Sequence, residues 1–367
     1  MTHVQMPTLQ TRRASEGLPF LRTIAMALLG VIVLTGVVRA EILPPPPIGV
    51  TLPAAAKNAF GVSVTYSPSD GLMYVWNGAQ VLKQDAPLSA SFTSIGNVGS
   101  GSADPGAIAF SRDSSSLILG NGAGGLEGGS NAGLIFTIPA SGGDSDTPIA
   151  TVPFHDTFLA APLSASNNKV FIDQGNASFT GSNVSVLDDT SGINVTVIQN
   201  IPGASTSLAI NAGRLFVGVG FGPMRGQLHS FLVSDLQTAY DASMPLDWDD
   251  GQVFNDEDNN SGFGLFFDAR GFLFAGGPSG VTVFDAAGNN RLYDNSGFTG
   301  VVYDPVNDRV LVTGFGDHQG LYPASMFVVP EPSTVVMALG FAVFLAPRWR
   351  RVVAPIRPPT DARWLGT

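Results

Sequence analysis

GAIAFSRDSSSLILG, residues 106–120, holds two short apolar runs joined by a polar turn. Val, Ile, Phe and Tyr dominate such runs, which favours strands. The turn carries Ser and Asp, the residues that close hairpins. The same phrase returns along the chain. GVSVTYSPSDGLMYVW begins at Gly61, APLSASNNKVFID at Ala161 and SLAINAGRLFVGVG at Ser207. GLFFDARGFLFAGG begins at Gly264 and GVVYDPVNDRVLVTG at Gly300. A third strand follows most copies, as in GLIFTIPASGG and GVTVFDAAGN.

The six copies are spaced by 45, 55, 46, 57 and 36 residues, close to the period of propeller blades. A hairpin-rich unit cannot bury its apolar face alone, and units stacked around an axis bury one another. The reading is all-β, a β-propeller of about six blades over residues 61–328. The long intervals before 161 and 264 leave room for inserted loops or a seventh blade. A two-sheet sandwich and a β-solenoid are the competing architectures. The 44 glycines and 26 prolines agree with many turns and little long helix.

Charge separates the body from its ends. Residues 41–330 hold 9 basic and 26 acidic residues, a net of −17, whereas the whole chain carries −11. An acidic body repels nucleic acid and anionic lipid. There is no cysteine, which excludes disulfides, thiolate catalysis and cysteine metal sites.

Residues 12–40 run from a basic stretch through an apolar one, Thr23 to Val38, to Val38-Arg39-Ala40. This is the three-part form of a secretory signal peptide, over residues 1–40, with an apolar helix and cleavage by signal peptidase between Ala40 and Glu41. A proline-rich spacer, 41–60, is expected next. At the other end an apolar helix of 12 residues, Val335 to Ala346, is short for a membrane span of about 20. Arg348, Arg350 and Arg351 would hold its end on the cytoplasmic side. Pro330 and Pro332 keep the preceding chain extended.

Val329, Pro330, Glu331, Pro332, Ser333 and Thr334, then the apolar run and the arginines, resemble the PEP-CTERM sorting signal of exported proteins in Gram-negative, exopolysaccharide-making bacteria. The resemblance covers 329–351, and a short tail, 352–367, follows. It implies recognition by exosortase, transient membrane attachment through the C-terminal segment, processing near Pro330-Glu331-Pro332, and a final place at the cell surface or in the extracellular matrix. The hairpin phrases also loosely resemble WD40-like and NHL-like propeller repeats, without a Trp-Asp signature.

Catalytic patterns are missing from the sequence. His155, His229 and His318 have no metal-ligand spacing. His155-Asp156 and Asp317-His318 read as polar loop pairs, since neighbours on a strand point apart. GNGAGGLEGGSNAG, residues 120–133, has no lysine for a phosphate cradle. Asp247, Asp249, Asp250, Asp256 and Asp258 crowd DWDDGQVFNDEDNNSGFG, residues 247–264. Read as one loop, they offer hard oxygen ligands of the kind calcium takes, or a solvated acidic loop. No other cofactor is expected. The functional reading is a non-enzymatic exported binding module, with exopolysaccharide or surface proteins as partners. The alternative is a secreted propeller enzyme, lactonase-like or polysaccharide-lyase-like, using calcium.

Overall fold

Five of the six repeated phrases supply the first two strands of an antiparallel sheet, the Ala161 phrase supplies only the second strand of its sheet, and six such sheets form in the computed structural model. It describes residues 40–50, 63–99, 106–121, 133–152, 154–163, 168–176, 178, 180–204, 207–222, 224–256, 264–314, 317–327 and 329. A short strand, β1 (Glu41–Ile42), precedes the sheets. Blade 1 is β2 (Ser63–Tyr66), β3 (Met73–Trp76), β4 (Gln80–Gln84) and β5 (Phe92–Asn97). Blade 2 is β6 (Ala107–Phe110), β7 (Ser116–Gly120), β8 (Leu134–Pro139) and β9 (Ala150–Thr151). Blade 3 is β10 (Phe158–Ala160), β11 (Lys169–Gly175), β12 (Ser182–Asp188) and β13 (Asn194–Ile201).

Blade 4 is β14 (Ser207–Asn211), β15 (Arg214–Gly218) and β16 (Leu228–Leu232), then the helix α1 (Val233–Ala242). β17 (Leu246–Asp247) returns to the edge of blade 3, and β18 (Gln252–Asn255) completes blade 4. Blade 5 is β19 (Leu265–Phe267), β20 (Leu273–Gly276), β21 (Gly280–Phe284) and β22 (Asn290–Asp294), with β1 on its outer edge. Blade 6 is β23 (Thr299–Asp304), β24 (Arg309–Gly314) and β25 (Gly320–Pro323).

The first strands close a ring. β2 touches β6, β6 touches β10, and the sequence continues through β14, β19 and β23 back to β2. The protein is a six-bladed β-propeller. Its strands lie between two neighbouring blades, so both faces are apolar and the runs read as continuous. In β7, Leu117 and Leu119 pack toward blade 1 while Ile118 packs toward blade 3. Six such interfaces make up the core, one between each pair of neighbouring blades. The ring excludes the sandwich and the solenoid, and the count is six rather than seven. The first strand of blade 3 begins at Phe158, three residues before the predicted Ala161. The long interval before blade 5 is filled by α1, whose Leu236 and Ala239 join the interface of blades 3 and 4.

Residues 41–50 are not a free spacer. Leu43 is wholly buried between blades 5 and 6, and Val50 packs between blades 6 and 1. The Leu43 amide donates to Asp294 O at 2.8 Å, the Leu321 amide to Ile48 O at 2.8 Å, and the Tyr322 hydroxyl to Pro44 O at 2.9 Å. Among the described residues blade 6 has three strands of its own, and this strap pairs with its outer strand through the Leu321 amide. Prolines in the strap suit an edge position, where they block further strand addition. At the other end, Phe327 and Val329 are buried in the same cluster as Leu43. The wheel therefore takes in Leu43, Ile48, Val50, Phe327 and Val329 besides the blade strands from Ser63 to Pro323. The predicted signal helix and C-terminal apolar helix lie outside the described residues. Among the described residues no helix is long and apolar enough to cross a membrane.

Candidate functional site: the strand-start face

Two faces of the wheel differ in what their polar groups do. On the hairpin face, where first strands turn into second strands, aspartates cap the turns. Asp70 accepts from the Leu72 amide, Asp113 from Ser115, and Asp268 from Arg270 and Phe272. Asp304 accepts from Val306 and Asn307, and the third-strand turns repeat the device with Asp188 and Asp285. These side chains mimic a backbone turn. Asp304 and Asp268 are buried, and Arg270 pairs with Asp268 while also donating to Ala324 O. Much of the body's acidity is thus turn chemistry.

On the opposite, strand-start face several buried polar groups have no protein partner. Asn121, His155, Asp173, Gln174, Ser182 and Ser207 all sit in this half of blades 2, 3 and 4, each with at least one such atom. His155 lies against Gly120, where any Cβ would collide with its Nε2. Its ring stacks on Phe158 with centroids 5.2 Å apart. Nδ1 is 2.7 Å from Val152 O. A carbonyl only accepts, so Nδ1 carries the proton and the neutral ring presents a lone pair at Nε2. Burial pushes this histidine down to about 4, partly opposed by the Val152 bond. His155 lies in the loop before β10, as expected, but its ring is buried and oriented rather than solvated.

Asp173 is 1 % exposed. Its Oδ1 accepts from the Asp156 amide at 2.8 Å and the Thr157 amide at 2.7 Å, pinning the segment that leads into β10. Burial, and then the neighbouring Asp156 carboxylate, push Asp173 well above the usual carboxylate range. The two backbone bonds oppose the shift without overcoming it.

The same face carries an aromatic pair. Phe221, just beyond β15, and Phe298, just before β23, have ring centroids 6.4 Å apart at 42°. Both backbones are fixed. Phe221 exchanges two bonds with Ala204, at 2.9 and 3.0 Å. The Thr299 amide donates to Gly277 O at 2.9 Å. Gly314 packs so closely on Phe298 O that it could hold no side chain. The loop after β15 is also tied down by Asn255 Nδ2, which donates to Gly226 O at 3.1 Å. Phe298 is 45 % exposed and Met224 of this loop 42 %.

The predicted acidic site is divided. β18 runs between Asp250 and Asp256, so the stretch is not one loop. Asp247 and Asp250 form a capping box on a short 3-10 turn, Trp248–Asp250. Asp247 also accepts from Asn200 Nδ2 at 2.7 Å. Asp249 is exposed beside them, while Asp256 follows the far end of β18. Four strand residues span about 13 Å. Asp258 lies outside the described residues. Among the described residues no three His, Asp or Glu side chains are grouped to hold a metal. His229 stacks on Trp248 with centroids 3.9 Å apart, with Nδ1 3.2 Å from Trp248 O. His318 is half-buried in a loop, its amide donating to Asn295 Oδ1 at 2.8 Å. Ala40 and Glu41 are exposed, and Pro330, Glu331, Pro332, Ser333, Thr334, Arg348, Arg350 and Arg351 lie outside the described residues.

No family model and no curated protein matches the chain. Solved structures do. A luciferin-regenerating enzyme superposes with a TM-score of 0.50 at 11 % identity, over 73 % of this chain and 89 % of its own. A gluconolactonase from Xanthomonas campestris gives 0.49 at 12 %, over 75 % and 93 %. The calcium-binding protein regucalcin from Agrobacterium tumefaciens gives 0.46 at 15 %, over 74 % and 83 %. At such identities the likeness concerns the propeller fold alone.

Proposed function

We propose that the protein is an exported surface or matrix component, sorted by exosortase, whose wheel binds a partner rather than transforming a substrate. One observation carries the reading. The core of the wheel takes in the chain up to Val329, and the VPEPST phrase starts at that residue. Val329 is thus the last described residue of the core, and cleavage beyond it, near Pro330-Glu331-Pro332, would leave that core residue in the mature chain. The absence of cysteine and the acidic body agree with a soluble module outside the cell. The binding half of the reading rests on the strand-start face, where an aromatic pair stays partly exposed beside polar loops.

The test is a chromosomal variant with Pro330-Glu331-Pro332 changed to alanines in a host with an exosortase. The expected result is an uncut, membrane-bound precursor, while the parent is found shortened at the surface. A variant processed and located like the parent would contradict the sorting reading.

A further inference from the structure

We propose that Phe221, Phe298 and Met224 form the platform on which the wheel binds a neutral polysaccharide chain. The inference rests on reading the wheel as a binding module and names its ligand class and site. Phe221 follows the second strand of blade 4, and Phe298 precedes the first strand of blade 6. The two loops thus reach toward each other across the start of blade 5. Their rings meet at 6.4 Å although both stay partly exposed. Phe298 is 45 % exposed on a backbone clamped by Gly277 and Gly314, so much of its ring faces solvent in a fixed position. Rigid, exposed aromatic rings are what a recognition surface uses, because little side-chain entropy remains to be lost.

The chemistry around the rings selects the ligand. A pyranose presents an apolar C–H face, which lies on an aromatic ring, and hydroxyls at its edge. Ser296 and Gln319 are exposed in the loops flanking Phe298 and offer matching donors and acceptors. Asp256 and Asp317 are exposed on the same face, against one exposed cation in the platform loop, Arg225 beside Met224. That field repels uronic-acid polymers, anionic lipid and nucleic acid. The size of the patch argues against a protein partner. Among the described residues, two rings and a methionine fall well short of the roughly 800 Å² per side of a stable protein interface, but match one or two sugar rings.

The test is affinity electrophoresis of the mature chain through gels holding hydroxyethylcellulose, a neutral glucan, or alginate, an anionic one. The parent should be retarded by the neutral polymer and not by alginate. Phe298→Ala should weaken retardation about tenfold, Phe298→Trp should keep it, and Asp113→Asn on the hairpin face should leave it unchanged. Phe298→Ala binding like the parent would overturn the proposal, as would a parent indifferent to the neutral polymer. Retention of the parent, but not of Phe298→Ala, on the host's immobilised surface proteins without any glucan binding would also overturn it and make the platform a protein dock. Location is read separately in cells. A correctly sorted chain that ignores glucan removes this site and leaves the export reading standing. A glucan-binding chain retained in the cytoplasm does the reverse.

Discussion

The hairpin face and the strand-start face use similar residues to opposite ends. Asp304 on the first is 1 % exposed, with one oxygen on two backbone amides and the other on Asn307 Nδ2. Asp173 on the second is equally buried, yet its Oδ2 has no protein partner. The difference separates an aspartate that shapes a turn from one that keeps bonding capacity in reserve. A buried polar atom without a partner costs about 1–3 kcal/mol, and the strand-start face tolerates several. The hairpin face uses its polar groups to close turns, and the strand-start face is where the proposed recognition chemistry lies.

Breaking the ring sets the scale for testing that contrast. Leu43→Asp places a charge between blades 5 and 6, where Leu43 is fully buried. It should cost about 4 kcal/mol or more, seen as loss of the folded baseline in urea. Next comes the hairpin face. Asp304→Ala strips the turn of its acceptor and should cost about 2–3 kcal/mol in the same titration. A loss under about 0.5 kcal/mol would deny that these aspartates hold the turns.

Asp173→Asn sharpens the comparison through pH. The folded pKa of Asp173 lies above its unfolded value. The folded state therefore holds the proton between the two, and this contribution is lost as pH rises through that window. Asparagine keeps an oxygen for the Asp156 and Thr157 amides but carries no charge. Its melting temperature relative to the parent should climb as pH rises above the ordinary carboxylate range, a tenfold difference in proton affinity between the two states being worth about 1.4 kcal/mol. A pH-independent difference would mean that Asp173 is an ordinary, solvated carboxylate. The smallest expected effect is Phe298→Ala, about 0.5 kcal/mol or less by urea, because half-exposed rings add little to the fold.

The sequence made the hairpins legible because each turn must carry residues that can bend, and each strand must be apolar to lie between two blades. Five of the six first strands start within two residues of the repeated phrase. Blade 3 was displaced because Phe158–Ala160 has only three residues and no polar turn of its own directly after it. The strap was illegible for a different reason. Leu43, Ile48 and Val50 are scattered among four prolines, and their burial depends on an edge supplied by residues almost 280 positions away. The acidic stretch misled because QVFN, residues 252–255, is too short and too polar to announce a strand between two groups of carboxylates. Phe221 and Phe298 are 77 positions apart, and only the curvature of the ring brings them together. A signal for them existed in retrospect: each is an aromatic residue in a Gly-rich loop, where no core demands one.

The central claim, that one face holds the fold and the other meets the ligand, is tested most directly by hydrogen exchange on the mature chain with and without saturating hydroxyethylcellulose. Slower exchange confined to residues 219–227 and 295–299, with 67–72, 268–272 and 304–308 unchanged, is the predicted result. Protection of the three hairpin turns, with the loops around Phe221 and Phe298 unaltered, would contradict it.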